Sequence, residues 1–156
     1  MTDRSVQHAS FTIERTYEFT PAEVFAAFAT AEAKGRWLFA PDEAPKDGDE
    51  FDFRVGGRDH FTVKEPGGPT MTYDALYYDI VPDQRLIYSY EMYADDARIS
   101  VSIATVELAP VEAGTRLTFT EQGAFLDGFD TPAAREHGTG EVLDDFGRVL
   151  RAMHAD

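Results

Sequence analysis

Cysteine is absent from the 156 residues. That excludes disulfide scaffolds, thiolate-ligated zinc, iron–sulfur clusters and thiol nucleophiles. It is compatible with a reducing compartment, and a cytoplasmic protein is expected. Positive charge is scarce: 14 Lys and Arg stand against 29 Asp and Glu, a formal net charge of −15. Nucleic-acid phosphates and anionic membrane surfaces would both repel such a polyanion, so neither partner is expected. Long apolar runs are missing too. "VFAAFATA" is far too short to cross a bilayer, and the opening "MTDRSVQHASFTIERTYEF" lacks the apolar run of a signal peptide. The Gly56-Gly57 pair has neither the Lys-Ser/Thr nor the following helix of a phosphate loop. No serine–histidine set suggests a hydrolase triad. His137 and Glu141 share a helical face, but two ligands do not make a metal site. Neither a metal nor another cofactor is expected.

What the chain has in quantity is aromatic residues in alternating strings. In "FDFRVGGRDHFTV", residues 51–63, apolar and polar side chains alternate on both sides of a glycine pair. This predicts a hairpin with Phe51, Phe53 and Val55, then Phe61 and Val63, facing inward. "ASFTIERTYEFT" reads as a first strand. Thr20-Pro21 with Glu23 then reads as a helix N-cap, with Val24, Phe25 and Phe28 on the core side. A second short helix is predicted over 30–37. "MTYDALYYDIV", "RLIYSYEMY", "RISVSIATVELAP" and "TRLTFTEQG" are strands separated by turn signals, an antiparallel meander. From Asp130 or Thr131, with Pro132 following, the period becomes helical. Val142, Phe146, Val149 and Met153 form its apolar stripe, flanked by Leu143 and Leu150. Gly138 and Gly140 weaken the first half, so regular helix is expected to begin later than the cap. Residues 1–156 read as a single α+β domain, roughly 70% of whose unfolded surface is buried on folding.

Five motifs in order carry a resemblance over about residues 11–150: "FTPAEVFAAFATAEAKGRWL", "FRVGG", "DIVPDQRLIYSY", "TVELAPVEAGTRLTFTEQGAF" and "REHGTGEVLDDFGRVL". They resemble the branch of the START/Bet v 1 (SRPBCC) superfamily named for the activator of the heat-shock protein 90 ATPase. That branch holds many proteins described only as ligand-binding or polyketide-cyclase-like. The resemblance implies a helix-grip fold. In it a curved antiparallel sheet of about seven strands wraps a long C-terminal helix, two short helices follow strand 1, and a cavity lies between sheet and helix. The chain departs from the family pattern twice. Thr139 follows Gly138 where many members carry tryptophan, which would enlarge the cavity. Glu121 stands where many carry histidine.

Glu121 shares a strand face with Leu117 and Phe119 by period 2. A carboxylate there could serve an apolar cavity as acid, base or anchor; alternatively the strand has reached the sheet rim and Glu121 is solvated. Tyr73, Tyr77, Tyr78, Tyr88, Tyr90 and Tyr93 crowd two neighbouring strands. Tyr88 and Tyr90 are expected inward, and Tyr77 and Tyr78 must split unless a bulge intervenes. Arg54, Arg58 and Arg98 could line a mouth, but pairing with surface acids is the plainer reading.

The ligand-binding set expected within the fold is Trp37, Phe53, Phe61, Tyr88, Tyr90, Glu121, Thr139 and Phe146. The leading expectation is a protein that binds a hydrophobic or amphipathic small molecule, whose identity the sequence does not reveal. One alternative is a cyclase-like enzyme using Glu121 and a tyrosine as acid and base. The other is a module contacting heat-shock protein 90, which the family name alone suggests. If Val106 and Leu108 face the helix, Ser100, Ser102 and Ala104 share the cavity face. Ile99, Val101 and Ile103 would then form an outer apolar stripe suited to a homodimer. A bulge near Ala104 would instead turn all five apolar residues inward and leave a monomer.

Overall fold

Alternating side chains dictate strands, and the computed structural model, which describes residues 4–30, 49–64 and 66–155, contains seven among them. The order is β1 (Val6–Tyr17), α1 (Pro21–Ala29), β2 (Glu50–Phe51), β3 (Arg58–Lys64), β4 (Thr70–Val81), β5 (Arg85–Ala94), β6 (Ala97–Val111), β7 (Gly114–Leu126) and α2 (Pro132–Met153). One sheet in the order β1-β7-β6-β5-β4-β3-β2 holds all the strands, and each pairs antiparallel with its neighbours. Consecutive strands from β2 to β7 form the predicted meander, and β1 closes onto β7. This is the helix-grip arrangement. No helix among the described residues is long and apolar enough to cross a membrane.

Local chemistry explains both helix starts. Thr20 accepts from the Glu23 backbone N–H while Glu23 reaches back to the Thr20 backbone, a reciprocal capping box with Pro21 at the first helical position. Thr131, not Asp130, caps α2 by accepting from the Ala134 N–H. The helix is then regular from Pro132 onward, through Gly138 and Gly140, contrary to the expected late start. Capping and the packing of its apolar face outweigh the weak propensity of two glycines.

The buried stripe of α2 is Leu143, Phe146, Gly147 and Leu150 rather than one through Val142, Val149 and Met153. Gly147 lets the Tyr17 ring approach the helix, and the Tyr17 hydroxyl donates to the Leu143 carbonyl at 2.7 Å. That contact rotates the helix by about one position from the predicted face. Phe146 is fully buried, with ring centres 4.7 Å from Phe28 and 5.4 Å from Tyr17. Truncating a side chain packed in this way typically costs about 3–5 kcal/mol. Of the predicted α1 stripe, Val24 and Phe28 are buried with Ala27, whereas Phe25 is only half-buried and packs on Phe53.

Two further expectations need correction, the tight hairpin and the outer stripe of β6. The hairpin at the glycine pair is not tight: its ladder ends at Phe51–Asp59, and the chain then curls into a loop that leaves Val55 exposed. In that loop the Gly56 N–H donates to the Tyr77 carbonyl and the Tyr77 N–H donates to the Gly57 carbonyl. Gly56 has φ +85°, and a Cβ on Gly57 would lie 2.0 Å from the Asp52 carbonyl oxygen. Tyr77 is buried and Tyr78 points to solvent, the split that alternation predicts, although a bulge at Tyr78 interrupts the β4–β5 pairing. In β6 no register shift occurs at Ala104. Ser100, Ser102, Ala104, Val106 and Leu108 all face the core, as the outer-stripe reading requires. The irregularity falls earlier, where Met92 pairs with Ser100 and Tyr93 with Arg98, and it buries Ile99. The exposed stripe is therefore reduced to Val101 and Ile103. Beyond Thr30, the extended C-cap of α1, the predicted helix over 30–37 lies outside the described residues, and Trp37 with it.

Candidate functional site

The inward face of β5 supplies Leu86, Tyr88, Tyr90 and Met92 by simple alternation, and β4 adds Tyr73 and Tyr77 from the facing register. Phe28 of α1, Phe119 of β7 and one face of α2 complete a cavity of about 270 Å³ between sheet and helix. The helix contributes Ala134, Arg135, Gly138, Thr139, Val142 and Leu143. Gly138 faces open space, since no heavy atom lies within 4 Å of where its Cβ would be.

The tyrosine wall is one connected aromatic surface. Ring centres lie 4.9 Å apart for Phe61–Tyr73, 5.3 Å for Tyr73–Tyr90, 6.1 Å for Tyr90–Tyr88, 5.9 Å for Tyr88–Tyr77 and 5.1 Å for Tyr77–Phe53. These spacings suit tilted and edge-to-face packing. Tyr88 and Tyr90 border the cavity, while Phe53 and Phe61 pack against the two ends of the series, on Tyr77 and Tyr73. Burial pushes the Tyr73, Tyr77, Tyr88 and Tyr90 phenols well above their usual range, and for Tyr88 and Tyr90 the Glu121 carboxylate adds to it.

At one end the cavity meets a polar cluster. Glu121 is fully buried, not solvated at a rim. Its Oε1 accepts from the Tyr90 hydroxyl at 2.6 Å, and its Oε2 accepts from Ser102 Oγ at 2.8 Å and from the Arg135 guanidinium at 3.2 Å. Arg135, whose side chain is 11% exposed, also donates to the Tyr90 hydroxyl at 2.9 Å, Ser100 Oγ at 2.7 Å and Asp130 Oδ2 at 2.8 Å. Its guanidinium carbon lies 5.3 Å from the Phe125 ring centre and 5.6 Å from that of Tyr90. Burial alone would lower this guanidinium's pKa, but Tyr90, Glu121 and Asp130 outweigh it and hold the group above its ordinary range.

Small residues make room for the cluster. Ser100 and Ser102 are inward-facing on β6, and a Cβ on Gly123 would crowd Ser102 Oγ at 2.8 Å and the Phe125 ring at 3.0 Å. Among the described residues no buried side-chain nitrogen or oxygen lacks a partner. Glu121 stands behind Tyr90 and Arg135 rather than on the cavity surface. Any proton it exchanged with a bound molecule would pass through the Tyr90 hydroxyl.

The expected residues therefore divide. Tyr88, Tyr90 and Thr139 line the cavity. Glu121 anchors its polar end, Phe53 and Phe61 support its wall, and Phe146 belongs to the packed core beneath. Sequence reasoning missed Arg135 and Asp130. A signal was available: an inward carboxylate beside two inward serines needs a cation, and Arg135 lies three and four positions before Gly138 and Thr139 on one helical face. Arg54, Arg58 and Arg98 form outer ion pairs, with Asp52, Asp74 and Glu91 respectively. No set of three or more acidic or histidine side chains among the described residues could hold a metal ion.

Comparison with known proteins agrees with this architecture. The family model described as "Activator of Hsp90 ATPase homolog 1-like protein" matches residues 18–152. The solved structure of a Rhizobium leguminosarum protein is similar at 40% identity and a TM-score of 0.90, covering 97% of this chain and 99% of that one. The Mll3558 protein of Rhizobium loti is 48% identical with a TM-score of 0.83, covering 93% and 99%. An AHSA1-like protein of Aeromonas hydrophila is 25% identical with a TM-score of 0.69, covering 95% and 96%. No curated protein matches. The chain belongs to the family of proteins like activator of Hsp90 ATPase homolog 1.

Proposed function

We propose that this family member is a small-molecule binding protein whose cavity between sheet and α2 takes an amphipathic, mainly apolar occupant. The observation that carries the reading is the cavity of about 270 Å³, walled by tyrosine rings and aliphatic side chains and ended by one polar cluster. Concave, mostly apolar sites with a few convergent polar groups are the usual form of small-molecule sites, and this volume lies just below their usual range of about 300–1,000 Å³. A compact ring system therefore suits it better than a long acyl chain.

A cyclase-like activity is the second reading, and the 2.6 Å contact between the Tyr90 hydroxyl and Glu121 favours it. Binding is preferred because that hydroxyl already donates to Glu121 and accepts from Arg135. A general acid must deliver its proton to the substrate, and here the proton is directed away from the cavity.

The test uses N-phenyl-1-naphthylamine, an uncharged dye whose emission rises in apolar surroundings. Saturable enhancement on the folded protein, lost on Thr139→Trp, is the expected result. A folded protein that leaves the dye unchanged would overturn the binding reading.

A further inference from the structure

We infer that the cavity selects neutral, ring-bearing molecules that donate a hydrogen bond, and rejects their carboxylate counterparts. This deepens the binding reading and rests on it. Arg135 is the only cation that lines the cavity among the described residues. Its two terminal nitrogens carry four N–H groups, and all four have acceptors within the protein: the Tyr90 hydroxyl, Glu121, Ser100 and Asp130. A carboxylate entering the cavity would find no terminal N–H waiting for it. To bond the guanidinium it would have to reach the one remaining donor, the Nε–H, or displace one of these acceptors, and in either case sit beside the carboxylates of Asp130 and Glu121. Like charges brought together in a poorly solvated space repel strongly.

The same cluster has acceptor capacity to spare. Asp130 borders the cavity, and its two oxygens take one donor each, the Thr131 N–H at 2.8 Å and Arg135 at 2.8 Å. A carboxylate offers about four lone-pair sites. A hydroxyl or N–H on a bound ring can therefore donate to Asp130 while the ring lies against Tyr88 and Tyr90. An ammonium group would suit the charge, but it would surrender most of its hydration to a largely apolar space.

Displacement of N-phenyl-1-naphthylamine by 1-naphthol, 1-naphthoate and 1-naphthylmethylammonium tests this, because the three share one ring system and differ in charge. Physiological ionic strength confines the comparison to charges within roughly 8 Å. The expected result is that 1-naphthol displaces the dye at a concentration at least about tenfold lower than either charged analogue. Asp130→Ala, checked for folding by circular dichroism, removes one carboxylate and vacates an Arg135 N–H. It should strengthen 1-naphthoate about tenfold while changing 1-naphthol less. Asp130→Asn, which keeps an acceptor but drops the charge, should fall between. If either charged analogue matches 1-naphthol on the wild type, the selectivity is wrong while the binding reading stands. A 1-naphthoate affinity unchanged in both variants removes the cluster from the explanation. Absence of dye binding defeats the binding reading and this inference together.

Discussion

Tyr90 and Glu121 are hydrogen-bonded across an intervening strand. The hydroxyl from β5 passes over β6 to reach the β7 carboxylate at 2.6 Å. Ser102 of β6 bonds the same carboxylate from below, and Arg135 bonds it from the helix side. One buried side chain thus ties three strands to α2.

Removing the carboxylate alone should be costly. Glu121→Leu leaves the Arg135 charge, the Tyr90 hydroxyl and the Ser102 hydroxyl without their common acceptor, and a loss of about 3–5 kcal/mol in chemical denaturation is expected. Glu121→Gln keeps an acceptor for Tyr90 and should lose less, about 1–3 kcal/mol. Adding Arg135→Met to Glu121→Leu removes a buried charge then held by Asp130 alone and should recover part of the loss. A Glu121→Leu protein as stable as the wild type would show that the network contributes nothing to folding.

The buried tyrosines set an alkaline limit. Burial raises the phenols of Tyr17, Tyr73, Tyr77, Tyr88 and Tyr90 above their ordinary value of 10.0. A folded-state pKa above the unfolded value means a contribution fully present below pH 10 and lost as pH rises beyond it. Tyrosinate absorbance from these rings should develop together with the loss of circular dichroism, in one transition above pH 10. Ionisation of all seven tyrosines before any unfolding would contradict this.

Two substitutions on one face of α2 probe the empty space. Gly138→Ala meets no neighbour and relieves a helix-interior glycine, so it should raise stability by about 0.5–1 kcal/mol. Thr139→Trp should fill the cavity, leave the melting temperature near that of the wild type and abolish dye uptake. In a close-packed interior the same enlargement would cost about 1–3 kcal/mol. A steep fall in melting temperature would mean that the space near Thr139 is not available.

Much of the architecture was legible because it follows from short-range rules. Alternation placed Leu86, Tyr88, Tyr90 and Met92 on one wall, and Thr20-Pro21 with Glu23 marked a helix start that the structure reproduces. Parity fails wherever a bulge adds a residue, and it failed at Ile99, which the β5–β6 irregularity buries. Helical faces are blurred for another reason. Which of Val142 or Leu143 points at the sheet depends on where Tyr17 meets Gly147, a contact between residues 130 positions apart. The polar cluster lies at the same limit. Glu121 was legible as a strand position, but its partner Arg135 comes from another element and is recognisable only by the need to compensate a buried charge.

The pairing of β1 with β7 bears on how the chain acquires its shape. Every rung of that ladder joins residues separated by roughly a hundred positions, from Tyr17–Thr115 to Val6–Leu126. At about 5–20 residues per second, a ribosome would expose β1 on the order of 5–20 s before its partner existed. During that interval β2 to β6 can pair by local turns, whereas β1 and α1 must wait with Phe11, Tyr17 and Phe28 uncovered. Closure is therefore a late, long-range event, of the kind that slows folding and leaves sticky surface for chaperones to shield.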